Sequence, residues 1–155
     1  MELALNGAYR QLDAIISPNT CDTMRCIPLM LDYALPHPPV IGLALPDNRK
    51  IEAGINYTAD EYRKIATELL KVGGKPISDE ALAKSIKVYN IHRQTMMDFF
   101  DVANNHLDII TPYMRHMVIK SSFFMPKEKH TLWVKELIAE LNTMPVHEWQ
   151  GSKVF

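Results

Sequence analysis

The chain has few cysteines, no excess of charge of either sign and no long apolar run. Its 155 residues include two cysteines, and 18 acidic against 17 basic residues leave a formal net charge of −1. Two cysteines cannot form the disulfide framework of a small secreted domain, so we expect a reducing, cytoplasmic location. The balanced charge gives no electrostatic basis for nucleic-acid binding. The longest apolar stretches are broken by proline, and we therefore expect no membrane-spanning segment.

Familiar catalytic and nucleotide-binding motifs are also missing. The sequence contains no G-x-S-x-G, Walker A, G-x-G-x-x-G or HExxH motif, and its six histidines are scattered without ligand spacing to the cysteines. The stretch "KVGGK" resembles a phosphate-binding loop, but it ends a predicted helix instead of opening one. The sequence therefore directs attention to the cysteines themselves.

The order of the predicted elements indicates an α/β fold with a partial parallel sheet. The apolar runs "LDAIIS" and "PPVIGLALP" predict buried strands over residues 12–17 and 39–45. The segment "CDTMRCIPLMLDYA" between them has helical spacing, with Thr20 or Asp22 as its cap and a kink at Pro28. Because parallel strands need such a crossover, we expect these two strands to be neighbours and parallel.

A second helix is predicted from a capping box. Thr58 and Glu61 have the required spacing, and the helix "ADEYRKIATELLKVGG" is predicted to stop at Gly73 and Gly74.

The C-terminal half is predicted to be largely helical. Ser78 caps a helix that runs to about Asn104, and a further helix follows Pro126. The predicted apolar stripes of these two helices consist of Leu82, Ile86, Tyr89, Met96 or Met97, and Phe100, and then of Leu132, Leu137, Ile138 and Leu141. The ending "GSKVF" predicts a glycine turn and the opening of a strand.

Cys21 lies where the first predicted strand meets a helix. Ligands gather at the carboxyl ends of strands in open α/β sheets, and a helix N-terminus stabilises a thiolate. Cys21 is therefore a candidate metal ligand or nucleophile, and the alternative is a buried structural thiol. Cys26 follows at C-x4-C spacing, which is not that of zinc ribbons or thioredoxin-like sites, and it is interpreted as a small core residue.

Two polar neighbours lie within about one helical turn of Cys21. Asp22 and Arg25 are candidates to hydrogen-bond a group held by that cysteine. The alternative is a helix cap for Asp22 and a solvated side chain for Arg25.

Several segments together resemble a known family. "ISPNTCDTMR", "LPDNRKIEAGINYTADEYRKIATELL" and "GGKPISDEALAKSIKVYNIHR" occur in the order found in the benzoyl-CoA reductase and 2-hydroxyacyl-CoA dehydratase family. The chain looks most like the smaller of the two cluster-bearing subunits of ATP-dependent benzoyl-CoA reductase. The resemblance covers nearly the whole chain, and the order of the segments is more specific than any one of them.

The resemblance implies a cofactor, a substrate class and partners. Cys21 matches a family ligand of a 4Fe–4S cluster, and the substrate is an acyl-CoA thioester. The implied partners are a related second cluster-bearing subunit and an iron–sulfur activator that hydrolyses ATP and delivers electrons singly at low potential. Family members either reduce an aromatic ring or eliminate water from a 2-hydroxyacyl group.

The chain also departs from the family pattern. One family cysteine normally precedes this region and another follows it, so this sequence retains one ligand of roughly three. We interpret the chain as a central fragment: residues 1–147 form part of an α/β domain with connecting helices, and 148–155 begin a strand of a missing second domain. Alone, it is expected to hold no cluster and to turn over no acyl-CoA.

Three functions remain open at this point. The leading hypothesis is a reductase-type iron–sulfur subunit that transfers low-potential electrons to an acyl-CoA. The alternatives are an (R)-2-hydroxyacyl-CoA dehydratase subunit and a non-catalytic folding or interaction module.

Overall fold

The computed structural model describes residues 2–151. The chain divides into two compact units, Met1–Ile77 and Ser78–Phe155. The elements of the first unit are α1 (Glu2–Leu5), β1 (Ile15–Pro18), α2 (Asp22–Ala34), β2 (Val40–Leu43) and α3 (Glu52–Lys71). Those of the second unit are α4 (Asp79–Asn105), α5 (Pro112–Ser121) and α6 (Lys127–Thr143).

The predicted parallel strand pair is confirmed. Strands β1 and β2 are hydrogen-bonded in parallel, with Ile15 opposite Val40, and α2 forms the crossover between them. Helix α2 contacts both strands and α3 contacts β2. Ser17 and Ile41 are buried, whereas Ile16 is 44% exposed. The first strand is therefore covered on one face, not on both as its apolar run suggested, and the α/β class stands.

The start of α3 was predicted seven residues too late. The helix begins at Glu52 after Ile51, and no side chain caps it. Thr58 lies inside the helix, where its hydroxyl donates to the carbonyl oxygen of Gly54 at 2.8 Å. Gly54 is buried, and an added Cβ there would lie 1.9 Å from the carbonyl oxygen of Asn48. The first turn of α3 therefore has no capping box. Its backbone instead lies so close to the carbonyl oxygen of Asn48 that position 54 needs glycine.

The predicted end of α3 is confirmed. Lys71 is its last residue, and Gly73 has a φ of 93°, a left-handed conformation that favours glycine. The amide of Gly74 then donates to the carbonyl oxygen of Leu69 at 2.8 Å, which satisfies a terminal carbonyl of the helix.

The second unit is helical, as predicted. The Ser78 hydroxyl caps α4 by accepting from the amide of Ala81 at 3.2 Å, and α6 follows Pro126 directly. Helix α5 was not predicted, although Thr111 followed by proline is a helix-start signature. Helices α4 and α6 pack together. The core of the unit consists of Phe99, Ala103, Ile110, Val134 and Leu141.

The apolar stripes were predicted only in part. Leu82, Ile86 and Leu132 are more than half exposed. The buried face of α4 instead begins with His92 and Thr95, and that of α6 begins with His130 and Thr131. Because the first buried positions of both helices are polar, apolar periodicity selected the wrong face there.

The C-terminal strand stays a prediction. Residues 148–151 form no strand, and residues 152–155 lie outside the described part of the chain. Among the helices of residues 2–151, none has the length and apolarity needed to cross a bilayer.

Candidate functional site

Cys21 is the N-cap of α2. Its backbone is extended, with φ −156° and ψ 172°, and its Sγ accepts a hydrogen bond from the amide nitrogen of Met24 at 3.5 Å. Its carbonyl oxygen accepts from the amide of Arg25 at 2.8 Å. The thiol is free and the residue is exposed. The prediction of Thr20 or Asp22 as the cap was wrong, because the sulfur fills that position and Asp22 is the first helical residue.

Asn19 and Glu61 hydrogen-bond the backbone at and just after the end of β2, at the carboxyl edge of the strand pair. The backbone amide of Asn19 donates to the carbonyl oxygen of Leu43 at 3.0 Å, and the side-chain Oδ1 of Asn19 accepts from the backbone amide of Leu45 at 2.7 Å. Glu61 Oε2 accepts from the amide of Ala44 at 2.9 Å. Sequence reasoning assigned Glu61 to a capping box and did not single out Asn19. An asparagine between a strand and a helix commonly bonds the backbone, which was the available signal.

An open groove of about 340 Å³ lies along this edge of the strand pair. Arg25 lines it together with Asn19, Lys64 and Asp32, whereas Cys21 and Asp22 are not part of its lining. Lys64 Nζ is 3.7 Å from the Glu61 carboxylate. The structure thus brings Arg25 into a polar groove beside the Cys21 loop, and it leaves Asp22 exposed at the helix start.

Cys26 does not belong to a core. It is exposed, contrary to prediction, because α2 buries only Leu31 fully among its residues. Five residues of helix place its side chain about 140° around the axis from that of Cys21. The two thiols therefore do not converge on one ligand.

The fit of an iron–sulfur cluster can be judged from the donor set. The accessible Cys21 thiol suits one ligand position, since such clusters are held by thiolates. Within residues 2–151, no three or more His, Cys, Asp or Glu side chains converge to hold a metal ion. The described residues therefore supply one suitable ligand and not a complete cluster site.

The second unit contains a buried histidine pair that sequence reasoning missed. His92 Nε2 is 2.9 Å from His130 Nδ1, and His130 Nε2 is 3.0 Å from both the Val118 carbonyl oxygen and Ser121 Oγ. Because a carbonyl only accepts, His130 carries its proton on Nε2, and its Nδ1 accepts from His92. Burial, and after it the positive charge of Lys127, lower the pKa of His92 below its ordinary value.

The fold and the site together define an α/β protein with an exposed, thiol-bearing helix cap at the carboxyl edge of a parallel strand pair. The chain belongs to the family described as 2-hydroxyglutaryl-CoA dehydratase, D-component, which it matches over residues 1–154. The family resemblance found in the sequence is thereby confirmed.

Curated relatives show which members of the family the chain is similar to. Over 99% of its length the chain is 42% identical to lactoyl-CoA dehydratase subunit beta of Anaerotignum propionicum, covering 40% of that protein. It is 36% identical over 99% of its length to (R)-2-hydroxyglutaryl-CoA dehydratase subunit beta of Acidaminococcus fermentans, covering 41%. A benzoyl-CoA reductase subunit of Thauera aromatica is 26% identical over 90% of the chain, which covers 36% of that protein.

The chain thus spans about two fifths of the length of these relatives. Its relation to enzyme subunits that act on acyl-CoA thioesters is clear from their names. The dehydratase alternative is better supported than the reductase hypothesis, because identity is higher to the two dehydratase subunits.

Proposed function

We propose that this chain is part of a beta-type subunit of an (R)-2-hydroxyacyl-CoA dehydratase. The observation that carries the proposal is the 42% identity to a lactoyl-CoA dehydratase beta subunit over 99% of the chain, against 26% to a subunit of benzoyl-CoA reductase. The reaction would remove the 2-hydroxyl group and a hydrogen of the acyl chain as water. Reduction of an aromatic ring becomes the second candidate, supported by the more distant relative.

Within such a subunit we assign Cys21 as one thiolate ligand of a 4Fe–4S cluster. Its exposure and its place at the carboxyl edge of the strands support the assignment. The cluster would supply low-potential electron transfer, and the remaining ligands would be donors beyond those of the described residues. Arg25, which lines the adjoining groove, and Asp22, which begins α2, are the proposed polar neighbours of this site.

The proposal includes partners. A related second cluster-bearing subunit and an ATP-hydrolysing iron–sulfur activator would complete the system, with an acyl-CoA as substrate. The names of the relatives as beta subunits support the partner subunit. Two free, exposed cysteines suit a reducing compartment, so we place the protein in the cytoplasm.

A chimeric subunit tests the function. Residues 1–154 replace the matching segment of the lactoyl-CoA dehydratase beta subunit, and the chimera is purified anaerobically with its partner subunit and activator. We expect dehydration of a 2-hydroxyacyl-CoA and no reduction of benzoyl-CoA. Reduction of benzoyl-CoA without dehydration would contradict the proposal. The unaltered relative, carried through the same purification, is the control.

A further inference from the structure

The loop that carries Cys21 is joined to the neighbouring strand by Asn19. The backbone amide of Asn19 donates to the carbonyl oxygen of Leu43 at 3.0 Å, which extends the parallel ladder one step beyond Pro18. The Asn19 side chain then reaches two residues further and accepts from the amide of Leu45 at 2.7 Å. One residue, two positions before Cys21, therefore links the carboxyl ends of both strands.

The hydrogen bonds of Cys21 itself are local to α2. Its Sγ accepts from the amide of Met24, and its carbonyl oxygen accepts from the amide of Arg25. These bonds orient the thiol relative to the helix axis. They do not fix the thiol relative to β2, whereas both bonds of Asn19 reach the segment at the end of that strand.

We propose that Asn19 is a positioning residue that sets where the Cys21 thiol stands at the carboxyl edge of the strand pair. The proposal rests on the proposed function, in which that thiol binds iron. Substituting a residue that orients a metal ligand without touching the metal commonly lowers metal affinity by about 10–100-fold.

Glu61 provides a matched control on the same segment. Its carboxylate accepts from the amide of Ala44 at 2.9 Å, a hydrogen bond of the same kind on the residue between Leu43 and Leu45. Glu61 lies on α3 and is not part of the loop that carries Cys21. Replacing Glu61 with alanine therefore removes a comparable bond without cutting the link between the two loops.

A nitroxide label on Cys21 tests the positioning role in the complete 155-residue chain, with Cys26→Ser removing the other thiol. We expect Asn19→Ala to narrow the central line of the EPR spectrum, which reports a more mobile loop. Asn19→Asp should restore the wild-type spectrum, because its carboxylate can accept from the same amide. Glu61→Ala should leave the spectrum of the Cys21 label unchanged. In a Cys21→Ser background with the label on Cys26, Asn19→Ala should also leave the spectrum unchanged.

Two results would overturn the proposal. One is an unchanged Cys21 label in Asn19→Ala, and the other is equal narrowing in Asn19→Ala and Glu61→Ala. Circular dichroism establishes that each variant is folded. Should Asn19→Ala fail to fold, Asn19→Gln makes the same test, since it keeps the amide and displaces its oxygen by one methylene.

A second measurement connects the residue to iron. In the chimeric dehydratase subunit, Asn19→Ala should weaken iron retention against a chelator by on the order of tenfold, and Asn19→Asp should recover most of it. If Cys21→Ser leaves the iron content of the chimera unchanged, the proposed function fails at that ligand. The EPR result still decides the positioning role, so the two failures are distinguishable.

Discussion

Replacing His130 with alanine should destabilise the second unit by about 2.5–4.5 kcal/mol. The imidazole of His130 is almost fully buried, and it accepts from His92 and donates to the carbonyl oxygen of Val118. Val118 keeps a hydrogen bond from Ser121 in the variant. The main loss is the buried His92 N–H, which would be left without its partner.

The magnitude follows from two contributions. An unsatisfied buried donor costs about 1–3 kcal/mol. Truncating the imidazole leaves a space of about 60 Å³, which adds about 1.5 kcal/mol at 24 cal/mol per Å³ if the site does not collapse. The sum is a large part of the stability of an ordinary domain, about 5–15 kcal/mol.

Urea unfolding followed by tryptophan fluorescence measures the effect. The two tryptophans, Trp133 on α6 and Trp149, both lie in the second unit. With a slope of about 1–3 kcal/mol per M, the urea midpoint should fall by about 0.8 M or more. His116→Ala makes the same chemical change at an exposed position of α5 and should stay within about 0.5 kcal/mol of the unsubstituted chain.

The result that refutes the reasoning is a His130→Ala midpoint no lower than that of His116→Ala. A double-mutant cycle with His92→Ala isolates the pair, and we expect a coupling of about 1 kcal/mol or more. A coupling near zero would show that the two histidines pack side by side without sharing a stabilising hydrogen bond.

Three further predictions concern the thiols, pH and the core. In the chimeric dehydratase, Cys21→Ser should remove most of the iron and Cys26→Ser little, as measured by iron and sulfide content; the reverse would refute the assignment of Cys21. The pKa of His92 is lowered from 6.5 in the folded chain, so as pH falls the unfolded chain protonates this imidazole before the folded chain does. Urea midpoints should therefore drop on acidification, and they should drop less in His92→Gln. Equal pH dependence in both chains would contradict this. Leu141→Ala, at a buried position, should cost about 2–5 kcal/mol, whereas Leu132→Ala, at an exposed one, should cost less than about 0.5; equal urea midpoints would contradict the assigned helix face.

The features that could be predicted from sequence are those encoded in local patterns. The parallel pair follows from two apolar runs around a helical segment, and Ser78, Gly73 and Pro126 mark helix ends by their own backbone chemistry. The position of Cys21 at a strand-to-helix junction followed from the same local pattern, while its role as a metal ligand stays a prediction. Each of these inferences needs only neighbouring residues.

The features that sequence reasoning missed depend on a partner far along the chain. His92 and His130 are 38 residues apart, and each resembles an ordinary surface histidine until α4 and α6 pack together. The same tertiary packing buries Thr95 and leaves Leu82 exposed, so the apolar stripe was assigned to the wrong face of α4.

The side-chain hydrogen bonds to the segment after β2 are missed for the same reason. Glu61 has the spacing of a capping box with Thr58, yet its carboxylate bonds the amide of Ala44, 17 residues earlier. A carboxylate satisfies whichever unpaired amide the fold brings near, and β2 ends with amides that its two-stranded sheet does not pair. In the same way, Asn19 Oδ1 accepts from the amide of Leu45, which is 26 residues away in the sequence. Sequence can thus indicate a thiol suited to binding a metal, while Asn19, the residue proposed to position that thiol, is recognised only when the ends of the two strands are side by side.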